Sequence, residues 1–173
     1  MNTVNRTPWQ VQKSVVFALF IRELKTRFGA YKLSYVWMLV EPLVHIAVLS
    51  YILSQFGSHL MPGIDFPVFL VTGLLPFFLF RNISLHVMDG VDANRALFSF
   101  KQVKPIDTFI ARTLLESFLT AIILVLLLIG MGLLGLQVSI RDPFLYVALY
   151  GVMILMGLGL GMLFCVIAHY INE

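Results

Sequence analysis

Four long apolar runs dominate the hydrophobic pattern of this chain, and polar stretches separate them. The runs extend over residues 34–56, 66–88, 113–136 and 144–168. Each is long enough to cross a hydrocarbon core of about 30 Å as an α-helix, which rises about 1.5 Å per residue. The pattern therefore predicts an all-α integral membrane protein with four transmembrane helices.

A further helical pattern, over residues 9–28, precedes the first run and is amphipathic. Its apolar residues recur at offsets of three, four, seven and eleven from Phe17, which places them on one helix face, whereas Arg22 and Glu23 lie opposite. Such a helix can lie in the membrane interface, where the indole of Trp9 suits the headgroup region. A helix packed on a soluble partner domain is the alternative. The residues assigned to the interfacial helix are Trp9, Phe17, Phe20, Arg22, Lys25 and Arg27.

The charges are distributed unevenly along the chain, and their distribution predicts its orientation. Six of the 12 Lys and Arg residues precede the first run, five lie in or around the connection between the second and third runs, and only Arg141 lies between the third and fourth. Because cytoplasmic loops carry the excess of Lys and Arg, both termini are expected in the cytoplasm. The composition is 60% hydrophobic and 12% charged, and the basic residues adjoin apolar runs, so the net charge of +3 does not indicate nucleic-acid binding.

The first run contains two ionisable residues, Glu41 and His45. Placing a carboxylate near mid-membrane costs on the order of 2.5 to 3.5 kcal/mol, so Glu41 is expected to face other helices or a wet cavity. His45 follows one turn later and is positioned to pair with it. A polar route through the protein and a buried hydrogen bond that fixes helix packing both explain this placement.

The longest polar connection lies between the second and third runs, and the pattern predicts a short helix in it, over residues 94–105. Leu97 and Phe98 give this helix apolar character, Lys101 and Lys104 give it basic character, and its final proline ends it. A segment of this kind can lie on the membrane or dock into a groove of another protein.

The motifs of nucleotide, metal and catalytic sites do not occur in the sequence. It has no GxxxxGKS/T loop, so any ATP is expected to bind another chain. Cys165 and His169 share a helix face, but two ligands do not make a structural zinc site. No nucleophile, base and orienting group occur together. We therefore predict no catalytic residue, no metal site and no cofactor.

Three characteristic stretches follow one another along nearly the whole chain. They read FIRELKTRFGAYKLSYVWMLVEP, FPVFLVTGLLPFFLF and NRALFSFKQVKPIDTFIARTLLE. Together they resemble the inner-membrane permease of capsular polysaccharide ABC exporters, within the ABC-2 permease group that also exports O-antigen and teichoic acid. The resemblance implies a homodimeric permease in the bacterial inner membrane that works with a separate ATPase subunit and moves a lipid-linked polysaccharide. Periplasmic and outer-membrane export proteins would be further partners.

The resemblance also implies roles for particular segments. The interfacial helix corresponds to residues 9–28, and a coupling helix that docks on the ATPase corresponds to residues 94–105. The polymer would pass between two copies of the permease. The implied docking residues are Arg95, Ala96, Leu97, Phe98, Phe100, Lys101 and Lys104, and the candidates for the translocation path are Tyr35, Trp37, Glu41 and His45.

Members of this family continue beyond a fourth span to six spans in all. This chain is therefore expected to match the first part of such a permease and to lack the last two spans. Three interpretations follow from the resemblance and this difference in length. The chain is a permease for capsular polysaccharide, a permease for O-antigen or teichoic acid, or a truncated membrane scaffold that does not transport.

Overall fold

The computed structural model describes residues 7–29, 34–54, 65–99, 102–138 and 142–171. Within these ranges the chain forms five α-helices and one 3₁₀ helix, and none of the described residues forms a β-strand. In chain order the elements are α1 (Pro8–Gly29), α2 (Ser34–Ser54), α3 (Phe66–Met88), the 3₁₀ segment (Asp92–Ser99), α4 (Pro105–Leu133) and α5 (Pro143–Ile171). The all-helical fold predicted from the hydrophobic pattern is confirmed for this part of the chain.

Three of the helices are long and apolar enough to cross a membrane. They are α3, α4 and α5, with 23, 29 and 29 residues. α2 contains a shorter apolar segment among its described residues, Leu39–Ile52. The structure therefore supports three of the four predicted spans by length and composition, and the span predicted over residues 34–56 stays a prediction.

α4 begins at Pro105, before the predicted start of its membrane portion. Proline suits the first position of a helix, because its missing N–H would have no intrahelical partner there. The Asp107 carboxylate accepts a hydrogen bond from the backbone N–H of Lys104 at 3.0 Å, and Lys104 is extended, as a residue before proline prefers. A helix was predicted over residues 94–105. The structure has a shorter 3₁₀ segment there, Asp92–Ser99.

α3 lies at the centre of the bundle, because it packs against α2, α4 and α5. One apolar cluster joins α3 to α2 and α4, and a second joins α3 to α5. α1 packs mainly on α4, where Phe20 and Leu24 contact Leu115 and Leu119. The buried residues of the first cluster are Ile46, Val68, Val71, Leu75, Ile123, Leu127 and Met131.

Two glycines let α5 approach α3 closely. A Cβ atom at Gly157 would lie 3.0 Å from the carbonyl oxygen of Phe80, and one at Gly161 would lie 2.7 Å from Cβ of Val87. The two glycines are four residues apart, so they occupy one face of α5. This small-residue pair therefore brings the two helix backbones together, as such pairs do between membrane helices.

Candidate functional site

A group of five ionisable side chains joins α1, α3 and α4 at the end of the bundle where α4 begins. We call this group the junction cluster, and it consists of Glu23, Arg27, His86, Arg112 and Glu116. Glu116 is the most buried, with 6% of its side chain exposed, and it forms a salt bridge with Arg27. Nε2 of His86 lies 3.3 Å from the Glu116 carboxylate and also contacts the Arg27 guanidinium. The Arg27 charge therefore offsets the cost of burying the Glu116 carboxylate.

Arg112 connects the same three helices from its position on α4. Its guanidinium forms a salt bridge with Glu23 of α1 at 2.9 Å and donates a hydrogen bond to the backbone carbonyl oxygen of His86 in α3 at 2.5 Å. Only 10% of the Arg112 side chain is exposed. Since each carboxylate of the junction cluster has a guanidinium partner, α1 is bound to the bundle by partly buried salt bridges as well as by apolar packing.

A hydrogen bond connects the 3₁₀ segment to α1, beside the junction cluster. The Arg22 guanidinium donates it to the side-chain oxygen of Asn94. Asn94 is 2% exposed, and its amide donates a second hydrogen bond to the carbonyl oxygen of Gly90 at 2.8 Å. Gly90 lies so close to Phe109 of α4 that a Cβ atom there would be 2.9 Å from the ring. The 3₁₀ segment is therefore attached to α1 and to the connection that follows α3.

The predicted docking residues lie on and after the 3₁₀ segment. Arg95 and Ala96 are exposed, and Leu97 and Phe98 are half-buried. Arg95 forms a salt bridge with Asp92 at 2.9 Å, and both side chains are exposed to solvent. The remaining predicted docking residues are Lys104, which is exposed, and Phe100 and Lys101, which lie outside the described residues.

The candidates for the translocation path lie on α2. Trp37, Glu41 and His45 are one turn apart, so they share a helix face, and the side chains of Trp37 and His45 are exposed. The side chain of Tyr35 lies outside the described residues. The predicted pairing of Glu41 with His45 is wrong, because the Glu41 carboxylate forms a salt bridge with Arg81 of α3 at 2.9 Å. A guanidinium is the stronger partner, since it always carries a positive charge.

Aromatic rings extend this polar contact between α2 and α3. The Arg81 guanidinium lies 5.0 Å from the centre of the Phe78 ring, and the His45 ring meets Phe78 edge-on with 5.3 Å between ring centres. His45 itself contacts the backbone carbonyl oxygen of Glu41 at 2.8 Å. The side chains of Arg81 and Glu41 are 39% and 38% exposed. We call this surface the α2–α3 polar face, and its residues are Trp37, Glu41, His45 and Arg81, with the buried Phe78 beneath them.

The Glu41–Arg81 salt bridge is partly exposed on two apolar helices, and its charges limit the kinds of molecule that can contact this surface. Lipid tails cannot solvate the Glu41 and Arg81 charges, so the α2–α3 polar face is suited to contact water, a polar ligand or another protein chain.

Some of the predicted interfacial residues pack against the rest of the bundle in the structure, and the others are exposed. Phe20 packs on α4, with its ring centre 6.3 Å from that of Phe118. Trp9 and Phe17 are 74% and 64% exposed, and Lys25 is exposed as well. The two arginines of the predicted set make the contacts with Asn94 and Glu116 described above. α1 therefore uses part of its polar face to bind the bundle, which the amphipathic pattern alone did not indicate.

The junction cluster as a group was not predicted from the sequence. Arg112 and Glu116 lie one turn apart near the start of the third apolar run, and two charges in such a place signal a side that faces protein. His86 and Asn94 carried no comparable signal. Among the described residues, no three His, Cys, Asp or Glu side chains come together as metal ligands.

The fold and these polar contacts define a helical membrane protein with charged contacts at one end of its bundle. Residues 14–173 match the model of a protein family described as ABC-2 type transporter. The chain belongs to this family, and the resemblance found in the three stretches of sequence is confirmed.

Several relatives are capsule export proteins. The chain is 40% identical over 168 residues to the polysialic acid transport protein KpsM of Escherichia coli, covering 97% of this chain and 65% of the relative. It is 29% identical over 160 residues to the capsule polysaccharide export inner-membrane protein CtrC of Neisseria meningitidis serogroup A, and 27% identical over 159 residues to BexB of Haemophilus influenzae. Each match covers 92% of this chain and 60% of the relative. The chain thus spans slightly less than two thirds of the length of these relatives.

Proposed function

We propose that this chain is the permease component of an ATP-driven exporter that moves lipid-linked capsular polysaccharide across the bacterial inner membrane. The observation that carries the proposal is the 40% identity to a polysialic acid transport protein over 97% of the chain. The match to the ABC-2 family over residues 14–173 agrees with it. In this function ATP is hydrolysed by a separate subunit, and the permease acts by binding and movement alone.

The proposed topology has four spans, with both termini in the cytoplasm. Its support is the concentration of Lys and Arg before α2 and between α3 and α4, with Arg141 alone on the other side. The junction cluster and the 3₁₀ segment then lie at the cytoplasmic end, where an ATPase can reach them. α1 lies at the same end and serves as the interfacial helix.

The proposed docking surface for the ATPase is the connection over residues 94–105. Ala96, Leu97 and Phe98 supply apolar contact, and Arg95 and Lys104 supply positive charge that orients the partner. Phe100 and Lys101 complete the predicted set. These cations could equally bind anionic headgroups, so the apolar residues are the ones that distinguish docking on a protein.

Movement of the ATPase would reach the spans through a short series of contacts. The buried Asn94 joins the 3₁₀ segment to Arg22 of α1, and the junction cluster joins α1 to α3 and α4 through Arg27 and Arg112. Closely packed helices respond to such a displacement as rigid bodies. We therefore expect α1, α3 and α4 to move together when the docking surface is displaced.

The proposed translocation path runs along the α2–α3 polar face, with a second copy of the permease opposite. Its support is the partly exposed Glu41–Arg81 salt bridge, one helix turn from the exposed Trp37, in helices whose other exposed residues are largely apolar. Tyr35 is a further candidate for this path. Periplasmic and outer-membrane export proteins would receive the polymer on the far side.

The docking of the ATPase can be tested by copurification of the tagged permease from membranes of a capsule-producing cell. Phe98→Ala is expected to reduce recovery of the ATPase, because it removes the largest described apolar side chain of the docking surface. Phe144→Ala is the matched control, since Phe144 is 87% exposed at the opposite end of the bundle. Surface capsule is measured in a permease-deficient strain expressing each variant. Normal recovery of the ATPase with Phe98→Ala, or its absence from the unaltered preparation, would contradict the proposal.

A further inference from the structure

An apolar cleft of about 500 Å³ opens between α1 and α4, and no residue of the α2–α3 polar face is among the described residues that line it. Its volume lies within the range of about 300–1,000 Å³ that is usual for pockets holding small ligands. The residues that line it are Trp9, Gln12, Lys13, Val16, Phe17 and Phe20 of α1, and Ile110, Leu114 and Phe118 of α4.

The cleft is continuous with an exposed apolar row on α4. Ile110, Leu114, Phe118, Ile122 and Leu126 follow at steps of four residues, so they form one stripe that winds slowly round the helix. Leu114, Phe118 and Leu126 are each about half exposed, at 50%, 54% and 51%. Because α4 is long and apolar enough to cross the membrane, an exposed apolar stripe on it is suited to contact lipid tails. An extended hydrocarbon chain can therefore lie along the stripe and end in the cleft.

The mouth of the cleft carries a positive charge. Among the described residues that line the cleft, Lys13 is the ionisable one, and it is exposed. The nearby Asp107 is 2% exposed, and its two oxygens accept hydrogen bonds from Gln12 at 3.2 Å and from the Lys104 backbone at 3.0 Å. This carboxylate is therefore held in hydrogen bonds inside the protein. Trp9 also lies at the mouth, where an indole is suited to the headgroup region.

We propose that the cleft between α1 and α4 binds an anionic phospholipid, with one acyl chain along Leu114 and Phe118 and the headgroup phosphate beside Lys13. An apolar slot that continues into an exposed apolar stripe fits a hydrocarbon chain, and the Lys13 ammonium at its mouth fits a phosphate. The bound lipid would fill the gap under α1 and keep this helix against the spans. This site is separate from the polymer path and does not depend on the proposed export function.

Trp9 provides the readout, because the protein has only two tryptophans. In a Trp37→Phe background, the fluorescence of Trp9 alone is recorded in phosphatidylcholine vesicles that contain a small fraction of phospholipid with brominated acyl chains. Bromine quenches only an indole that it contacts. Brominated phosphatidylglycerol is expected to quench Trp9 about fivefold more than brominated phosphatidylcholine at the same low fraction, as one lysine near an anionic headgroup permits.

Lys13→Gln and Lys25→Gln each remove one positive charge from α1, so comparing them separates this site from general attraction to the membrane. Lys13→Gln is expected to remove the difference in quenching between the two brominated lipids. Lys13→Arg keeps the charge and is expected to retain the difference. Lys25→Gln, at an exposed position of α1 that does not line the cleft, is expected to leave the difference unchanged. Equal quenching by the two lipids in the Trp37→Phe protein would overturn the proposal. So would a difference that survives in Lys13→Gln, or one that Lys25→Gln removes to the same extent.

Discussion

Glu116 lies in the apolar helix α4, and its charge is balanced by Arg27 of α1. The other carboxylate of the junction cluster, Glu23, is already paired with Arg112. Glu116→Gln would therefore leave the Arg27 guanidinium without a counter-charge of its own. Breaking a fully buried pair usually costs about 3–5 kcal/mol, and because the Arg27 side chain is 26% exposed, we expect this variant to lower the free energy of unfolding by less than that. Thermal unfolding in detergent, followed by tryptophan fluorescence, measures the change.

A double variant shows whether the salt bridge itself is responsible. Arg27→Gln combined with Glu116→Gln removes both charges, so it is expected to be more stable than Glu116→Gln alone. Asp142→Asn is the control for loss of an acidic charge, because Asp142 is exposed between α4 and α5. If Glu116→Gln unfolds like Asp142→Asn, the junction cluster does not hold α1 in place.

Single residues also show what the sequence alone could predict. The sequence predicts that Glu41 needs a partner, because it lies within an apolar run and a carboxylate in lipid requires one. The partners were not recognisable. Arg81 follows Glu41 by 40 positions and Arg27 precedes Glu116 by 89, and sequence periodicity relates only residues of the same helix. Helix spacing therefore predicts the nearby His45 as the partner of Glu41, whereas tertiary packing supplies Arg81.

At the scale of helices, the contact between α3 and α5 depends on the absence of a side chain at Gly161. A Cβ atom there would lie 2.7 Å from Cβ of Val87 and 2.9 Å from the carbonyl oxygen of Ser84. Both are fixed parts of α3, so Gly161→Ala must push the helices apart. We expect it to lower the free energy of unfolding by about 1–3 kcal/mol, as overpacking does.

Gly159 of the same helix gives the matched control for this substitution. A Cβ atom at Gly159 would have no neighbour within 4 Å, and alanine favours helix over glycine by up to about 1 kcal/mol. Gly159→Ala is therefore expected to leave stability unchanged or raise it. The two variants are compared by thermal unfolding in one detergent. A loss of stability in both would show that glycine matters here for helix flexibility and not for close packing.

The helices themselves could largely be predicted from the sequence, whereas their mutual arrangement could not. Apolar length indicates α3, α4 and α5, and amphipathic spacing indicates α1. The same spacing does not reveal that α1 packs on α4, because several helices expose apolar faces of similar width. A longer helix was predicted in the connection after α3 than the 3₁₀ segment that the structure has there. The composition of this connection does not distinguish an α-helix from a short 3₁₀ helix.

At the scale of the whole molecule, the proposed function requires one orientation in the membrane. The junction cluster, the 3₁₀ segment and the docking residues lie at one end of the bundle, and the loop between α4 and α5 lies at the other. An ATPase can act on the docking surface only if the first end is cytoplasmic. The basic residues predict that orientation, and the labelling of single cysteines tests it.

Cys165 is the only cysteine and is buried, so Cys165→Ser provides the background. Leu134→Cys lies in the loop after α4, where Leu134 is 81% exposed, and Ser14→Cys lies on the exposed side of α1. A membrane-impermeant maleimide applied to intact spheroplasts is expected to label Leu134→Cys and to label Ser14→Cys only after lysis. The reverse pattern would put residues 94–105 outside the cell. No ATPase could then dock there, and the proposed coupling through Asn94 and the junction cluster would be excluded together with the topology.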